Sequence, residues 1–293
     1  MHFGVLCMAD SWYLADLKRA AAGDFEISAL SFRDLCGSWG ESGERFTSAT
    51  ADLSCLDAIL VRTMPPGTLE QVVFRMDVLG RLEASGMAVI NPARAVEAAV
   101  DKCLATARLA AAGLAVPRTR VCQSWEAGLA AFHELGQDVV LKPLFGAEGR
   151  GITRLNDEAL AERAFRMLAQ LGAVLYVQEF VPHVGHDIRV FVLGERLFAM
   201  RRSNPLDWRT NVSRGASTEP VDLNDKLAEL ARRAAGAIGA PLAGVDLLPA
   251  EDGRLLVLEV NAVPGWKALA RTVRTDIARL VLEFVASRAS ASR

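Results

Sequence analysis

The sequence predicts a mixed α/β chain: a parallel-sheet first lobe over residues 1–92, then two further lobes over 93–181 and 182–293. Three observations carry that reading. Short unbroken apolar runs at residues 3–6, 58–61 and 87–90 have strand length, as expected of strands covered on both faces of a parallel sheet. Residues 69–82 carry apolar positions at helical spacing, which gives a strand–helix–strand unit between the last two runs. From about residue 175 the pattern turns strand-rich, with hairpin signals at Gly194-Glu195 and Asp252-Gly253.

Composition excludes several classes. The chain has 293 residues, 51% hydrophobic and 23% charged, with a net charge of −2. That fits an ordinary folded protein and gives no global positive field for nucleic acid or an anionic membrane. Five cysteines, with no CxxC pair, argue for reduced thiols in a cytoplasmic protein, not for a disulfide framework or a zinc site. The opening residues lack a basic segment and read as a first strand rather than a signal peptide. No apolar run is long enough to span a bilayer.

Asn91-Pro92 closes the first lobe. A helix is expected over 101–112, stopped by Gly113, with strands near 118–122 and 138–142 and a helix between them. A single final helix is expected over about 268–286, its Leu269, Val273, Ile277, Leu280, Val281 and Phe284 forming one packing stripe.

The main chemical signal lies in Gly244-Val245-Asp246-Leu247-Leu248 and Leu256-Val257-Leu258-Glu259-Val260-Asn261. Glu259 and Asn261 are two apart on a strand and so share a face. If Asp252-Gly253 is a two-residue turn, Asp246 stands opposite Glu259. Facing carboxylates repel, by about a few tenths to 1 kcal/mol. A hard cation such as Mg²⁺ resolves the conflict, since two acids and an amide are oxygen ligands. The plainer alternative is that one acid faces solvent.

An apolar strand ends in Lys142 and leads into Gly146-Ala147-Glu148-Gly149-Arg150-Gly151. Glycines let backbone N–H groups approach phosphate, and the lysine adds charge. No Gly-Lys-Ser/Thr follows, as a P-loop needs. Residues 152–155 look like a strand, so the loop does not open into a helix as a dinucleotide fingerprint would. A hairpin loop lying over phosphates fits better; a mere mobile turn is the bland alternative.

Between these signals, Tyr176-Val177-Gln178-Glu179-Phe180-Val181 can offer backbone groups to adenine, with Glu179 either a ribose or adenine acceptor or a plain polar-face residue. A two-residue turn at Gly194-Glu195 sets Asp187 opposite Arg202, with Arg189 on the same face. Arg201, Arg202, Arg209 and Arg214 lie in one short stretch with Asn211. Clustered arginines suit carboxylate and phosphate recognition, although a solvated basic loop is the competing reading. Arg62 follows a buried first-lobe strand, where open sheets gather ligands, and is placed to meet an anionic acceptor; a plain connection is the alternative.

Taken in order, Asp101-Lys102, Leu141-Lys142-Pro143 with its glycine loop, Gln178-Glu179-Phe180, Asp187-Ile188-Arg189, Asn211-Val212-Ser213-Arg214-Gly215 and Glu259-Val260-Asn261 with Pro264-Gly265-Trp266 resemble the ATP-grasp superfamily. Within it the set is similar to the RimK-like glutamate ligases. The match covers about 90–270; residues 1–90 fit the family's preceding α/β domain in pattern alone. The resemblance implies an N-terminal pre-ATP-grasp domain and a two-lobed ATP-grasp fold. It implies ATP contacts from Lys102, Lys142, Gly146, Gly149, Gly151, Gln178, Glu179, Phe180, Val181, Asp187, Arg201 and Asn211. Asp246, Glu259 and Asn261 would hold two Mg²⁺ ions, or Mn²⁺ in their place. Arg202 and Arg214 are candidates to steady a tetrahedral oxyanion, and Arg62, Arg189, Gly265 and Trp266 are candidates for substrate. Gly265 and Trp266 would open the last helix and hold a carboxylate at its N-terminus. Ala147 departs from the serine many relatives carry.

The implied reaction is ATP-dependent joining of a carboxylate to an amine through an acyl phosphate, with L-glutamate and a small-molecule or cofactor acceptor as partners. Modification of a protein C-terminus, or a non-catalytic nucleotide-binding module, are the competing readings. A homo-oligomer is compatible with the family.

Overall fold

A computed structural model describes residues 1–41, 43–146 and 150–291. Gly149 and Ala147 of the glycine loop therefore lie outside the described residues.

The three apolar runs form the first sheet, with strands His2–Leu6, Ala58–Val61 and Ala88–Ile90 joined by a fourth, Glu26–Leu30, all parallel. The helix Leu69–Ala84 begins at a capping box: the Gln71 N–H donates to Thr68 Oγ1, and the Thr68 N–H to Gln71 Oε1. A small antiparallel sheet of Leu35–Gly40, Gly43–Ser48 and Ala51–Asp52 sits within this region and was not expected. Its apolar residues are scattered among polar ones and glycines, so they give no apolar run to read.

The second sheet is antiparallel, in the order Thr153–Leu155, Val139–Lys142, Leu175–Glu179, Thr119–Cys122. One face buries Val139, Leu141, Leu155, Leu175 and Val177 against helices Trp125–Glu134 and Glu158–Gln170, forming its own core. Alternation turns Val140, Lys142, Tyr176, Gln178 and Arg154 to the opposite face, toward the cleft.

Five antiparallel strands make the third sheet: Ser217–Pro220, Arg196–Ser203, His186–Leu193, Leu242–Pro249, Leu255–Asn261. Ile188, Val190, Val192, Val245 and Leu247 form an apolar face that packs on helices Ala93–Val100, Lys102–Ala111 and Asp225–Ile238. This cluster also takes in first-lobe residues such as Leu6 and Val61, so the first and third sheets share a core. The opposite face is apolar at one end, with Phe191, Leu193 and Leu242, and polar at the other, with Asp187, Arg189, Arg202 and Asp246. The candidate site is built on that polar end.

Two sequence expectations are corrected. The Asp252-Gly253 hairpin has a three-residue loop, 251–253, closed by Ala250 N–H donating to Arg254 O at 2.8 Å. Gly253 takes the left-handed conformation (φ 84°) while Asp252 does not, whereas a two-residue type I′ turn needs positive φ at both centres. Pro249, Leu248 and Leu247 accordingly pair one residue out of the expected register; a bulge between Asp246 and Leu247 then restores it. Asp246 does stand opposite Glu259, through loop and bulge together. The final helix is also two helices, Lys267–Val273 and Ile277–Ala291. Arg274 caps the first in the left-handed region (φ 53°), and Asp276 accepts from the Arg279 N–H to start the second.

Asn91 stitches the first sheet to the strands that carry the acids. Its side chain is fully buried; Nδ2 donates to the carbonyls of Leu242 and Ala262, and Oδ1 accepts from the Leu242 N–H. Asn91→Ala leaves these backbone groups unpaired and is expected to destabilise the fold by about 2–4 kcal/mol. Urea unfolding checks it; an unchanged midpoint would refute the role.

Candidate active site

Strand pairing fixes the acids and their counter-charges. In the hairpin of His186–Leu193 and Arg196–Ser203, Leu193 pairs with Arg196 across Gly194-Glu195, so Asp187 faces Arg202 as expected. On the other side Arg189 pairs with Asp246, and Asp246 with Glu259. The result is a row of alternating charge. Arg189 binds Asp246 through Nε at 2.6 Å and Nη2 at 2.7 Å; Arg202 lies 2.9 Å from the same carboxylate and grips Asp187 through Nε and Nη2. Such bidentate guanidinium–carboxylate pairs are the stronger kind.

Burial alone would push the Asp246 carboxyl up, but Arg189 and Arg202 outweigh it and hold it below the usual carboxylate range. Burial works against the Arg202 guanidinium too, yet Asp246 and Asp187 raise it. In the amide orientation that satisfies both neighbours, Asn261 donates to Glu259 Oε1 at 2.9 Å and accepts from Arg189 Nη2 at 3.0 Å. Asp246, Glu259, Asn261 and Arg189 thus form one contiguous polar surface. Among the described residues, no cluster of three or more His, Cys, Asp or Glu gathers; the donor set is two acids and an amide. Of the four lone-pair directions on Asp246, three are taken by guanidinium hydrogens.

Lys142 approaches from the second sheet. Its Nζ donates to Gln178 Oε1 at 2.6 Å; Gln178 Nε2 donates to Thr119 Oγ1 and Tyr176 Oη, and Tyr176 Oη meets Thr106 Oγ1 at 2.7 Å. Burial pushes the Lys142 ammonium down to about 8; Lys102 adds to that, while Glu259 and Asp246 oppose it. Lys102 is the first residue of its helix because Asp101 caps it, accepting from the Cys103 and Leu104 N–H groups. Its Nζ donates to the Gly146 carbonyl at 3.0 Å, and burial lowers its ammonium against the pull of Glu259 and Asp101. Two lysines and the near end of the glycine loop therefore face the Glu259 strand. Gly146 (φ 145°) and Gly151 (φ 72°) hold conformations that suit glycine.

Glu179 and Phe180 sit where the second sheet meets the third. Glu179 accepts from Arg118 Nε at 2.7 Å and from the Arg118 N–H, with Arg254 3.6 Å away. Burial raises the Glu179 carboxyl but these arginines bring it down. The Arg154 guanidinium lies 3.4 Å from the Phe180 ring centre, and Trp208 meets that ring edge-on at 5.7 Å. These residues, with Pro182 and His183, line a cleft of about 540 Å³, within the usual range for a small ligand, about 300–1,000 Å³. Val181 is buried beside it.

Other expected residues are placed differently. Arg201 turns to the far face of its strand and pairs with Glu219 at 2.9 Å, away from Asp246. Asn211 caps the short turn Val212–Arg214, and Arg214 lies 4.0 Å from Asp207. Arg62 and Trp266 meet at the contact between the first and third sheets, with the Arg62 guanidinium 4.3 Å from the indole. Trp266 is fully buried and donates to Asp16 at 2.9 Å; its helix is seven residues long. Sequence reasoning missed Asn204, whose side chain holds the 204–214 loop by donating to the carbonyls of Arg209 and Arg214. It also missed the Tyr176–Thr106–Thr119 network; Tyr176 and Gln178, two apart on one strand, carried the signal.

A family model described as the RimK-like ATP-grasp domain matches residues 99–285. Tetrahydromethanopterin:alpha-L-glutamate ligase of Methanosarcina acetivorans is 33% identical over 291 residues, covering 89% of each chain. The protein of that name from Methanococcus maripaludis is 29% identical, covering 97% of each. Among solved structures, a RimK domain ATP-grasp protein from Sphaerobacter thermophilus aligns with a TM-score of 0.74 at 25% identity, over 97% of this chain and 99% of that one. ATP-grasp ligase PsnB, complexed with a minimal precursor, gives 0.77 at 23% identity over 98% of each, a likeness of fold alone. The chain belongs to the RimK-like ATP-grasp family and is an ATP-dependent carboxylate–amine ligase.

Proposed function

We propose that this enzyme adds L-glutamate to the carboxylate of a small acceptor molecule. The observation that carries the reading is the Asp246–Glu259–Asn261 surface facing Lys142 and Lys102 across the cleft. Relatives named for glutamate ligation to tetrahydromethanopterin, matched along 89–97% of the chain, support a small acceptor over a protein C-terminus.

Glu259, Asn261 and the remaining lone pair of Asp246 would hold two Mg²⁺ ions, or Mn²⁺ in their place, since two acids and an amide are hard oxygen donors. Bound there, the metal supplies Lewis-acid neutralisation of phosphate charge. Lys142 and Lys102 hold the phosphates, with Gly146 and Gly151 above them. Backbone groups of Glu179 to Val181 take the adenine beside Phe180. Asp187 and Gln178 act at one remove, Asp187 by fixing Arg202 and Gln178 by fixing Lys142. Arg209 and Asn211 lie on the loop that reaches the glycine hairpin, where Arg209 donates to Ile152 O at 3.3 Å.

The acceptor carboxylate attacks the γ-phosphorus, ADP departs, and an acyl phosphate results. The glutamate amine then attacks the acyl carbon, and the C–O bond to phosphate breaks. Arg189 is exposed enough to move from Asp246 toward the developing oxyanion, whereas Arg202 is locked between two acids and Arg214 stands on the loop opposite. Preorganised positive charge of this kind is a main source of rate enhancement.

Two outcomes follow. Glu259→Gln is expected to cut acceptor-dependent ADP release by about a hundred-fold or more, measured with glutamate over a panel of small carboxylic acids; undiminished release would refute the metal role. The Lys142 ammonium is charged below about 8 in the free enzyme. Its attraction for phosphate is therefore present below that pH and lost as pH rises through it. Affinity for a non-hydrolysable ATP analogue should fall between pH 7 and 9 in the wild type and stay flat in Lys142→Met; parallel curves would refute the assignment.

A further inference from the structure

The first sheet runs in the order Glu26–Leu30, His2–Leu6, Ala58–Val61, Ala88–Ile90. The chain goes to one side of His2–Leu6 and then to the other, so the carboxyl ends of strands 2–6 and 58–61 flank the topological switch point, where open α/β sheets collect ligands. Arg62 is the first residue past that edge, its N–H donating to Leu6 O at 2.9 Å.

The Arg62 guanidinium is 3% exposed, stacked 4.7 Å from Tyr13 and 4.3 Å from Trp266. Nη2 donates to the Pro264 carbonyl at 2.8 Å, while Nε and Nη1 meet no acceptor among the described residues. Burial lowers it to about 10, and the groups that favour its charge are a phenol, Tyr13, and a thiol, Cys7, with no carboxylate among them. Asp16, the acid at this contact, is taken up by Trp266 and Arg19. Lys267 lies over the Trp12 ring at 5.1 Å, and Lys18 acts on Cys7, so the surroundings lean positive. A buried charge that lacks a counter-ion is costly, and two aromatic faces offset only part of that.

Pro264 follows Asn261 by three residues, so the crevice lies within about 10 Å of the acid face along the chain. The reacting carboxylate belongs beside Lys142; a second carboxylate must be held elsewhere. We propose that the switch-point crevice binds the incoming glutamate through a carboxylate that does not react, with Arg62 as its counter-ion. This rests on the glutamate-ligase reading.

Calorimetric titration of L-glutamate, and separately of a non-hydrolysable ATP analogue, into wild type, Arg62→Lys and Arg62→Met tests it. Arg62→Met should weaken glutamate binding ten-fold or more with ATP-analogue affinity unchanged within two-fold, and Arg62→Lys should fall between. Equal glutamate affinity in all three proteins, no glutamate binding by the wild type, or a joint loss of both affinities would each overturn it, the last marking Arg62 as a structural tie between lobes. If acceptor-dependent ADP release with glutamate persists while Arg62→Met keeps the wild-type KM for glutamate, the crevice assignment fails and the ligase reading stands. If no amino acid supports ADP release, the ligase reading fails, and the titration still decides the crevice.

Discussion

Asp246 lies buried between Arg189 and Arg202, and the placing of the other polar groups in the cleft follows from that contact. Arg202 can stay charged there because Asp187 holds its other edge, and Asp187 is fixed by its register opposite Arg202. Arg189, less enclosed, reaches both Asp246 and Asn261, which turns the Asn261 amide toward Glu259. The Arg189 guanidinium offsets the repulsion between Asp246 and Glu259. On this face Asp187, Asp246 and Glu259 outnumber Arg189 and Arg202 by one charge, and under the proposed function a cation held there would compete with Arg189 for the same oxygens.

The cleft combines two differently built walls. The second sheet has its own core, so its cleft face can carry Lys142, Gln178 and Tyr176 as a hydrogen-bonded set. The third sheet shares a core with the first and is tied to it by Asn91. The acid strand is therefore anchored at its carboxyl end, where Asn91 holds the Ala262 carbonyl and the buried Trp266 follows. Rigid support of this sort is what a charged site needs to stay assembled before its ligands arrive.

Much of this was legible in the sequence. Alternation placed Glu259 and Asn261 on one face, and the Gly194 turn set Asp187 against Arg202, because strand period and turn length are local properties. The Asp246–Glu259 pairing was reached through the wrong turn: a loop one residue longer and a bulge cancel, and neither leaves a mark in composition. Long-range partners were not legible. Nothing local says that Arg189 would occupy Asp246, that Asn204 would hold the 204–214 loop, or that Arg62 and Trp266, some two hundred residues apart, would stack. The break at Arg274 was hidden because the apolar stripe continues across it.

Mn²⁺ titration followed by electron paramagnetic resonance, with a non-hydrolysable ATP analogue present, tests the central claim most directly. The account predicts nucleotide-dependent manganese binding by the wild type, weakened ten-fold or more in both Glu259→Gln and Asn261→Leu. Equal manganese affinity in the wild type and both variants would contradict it.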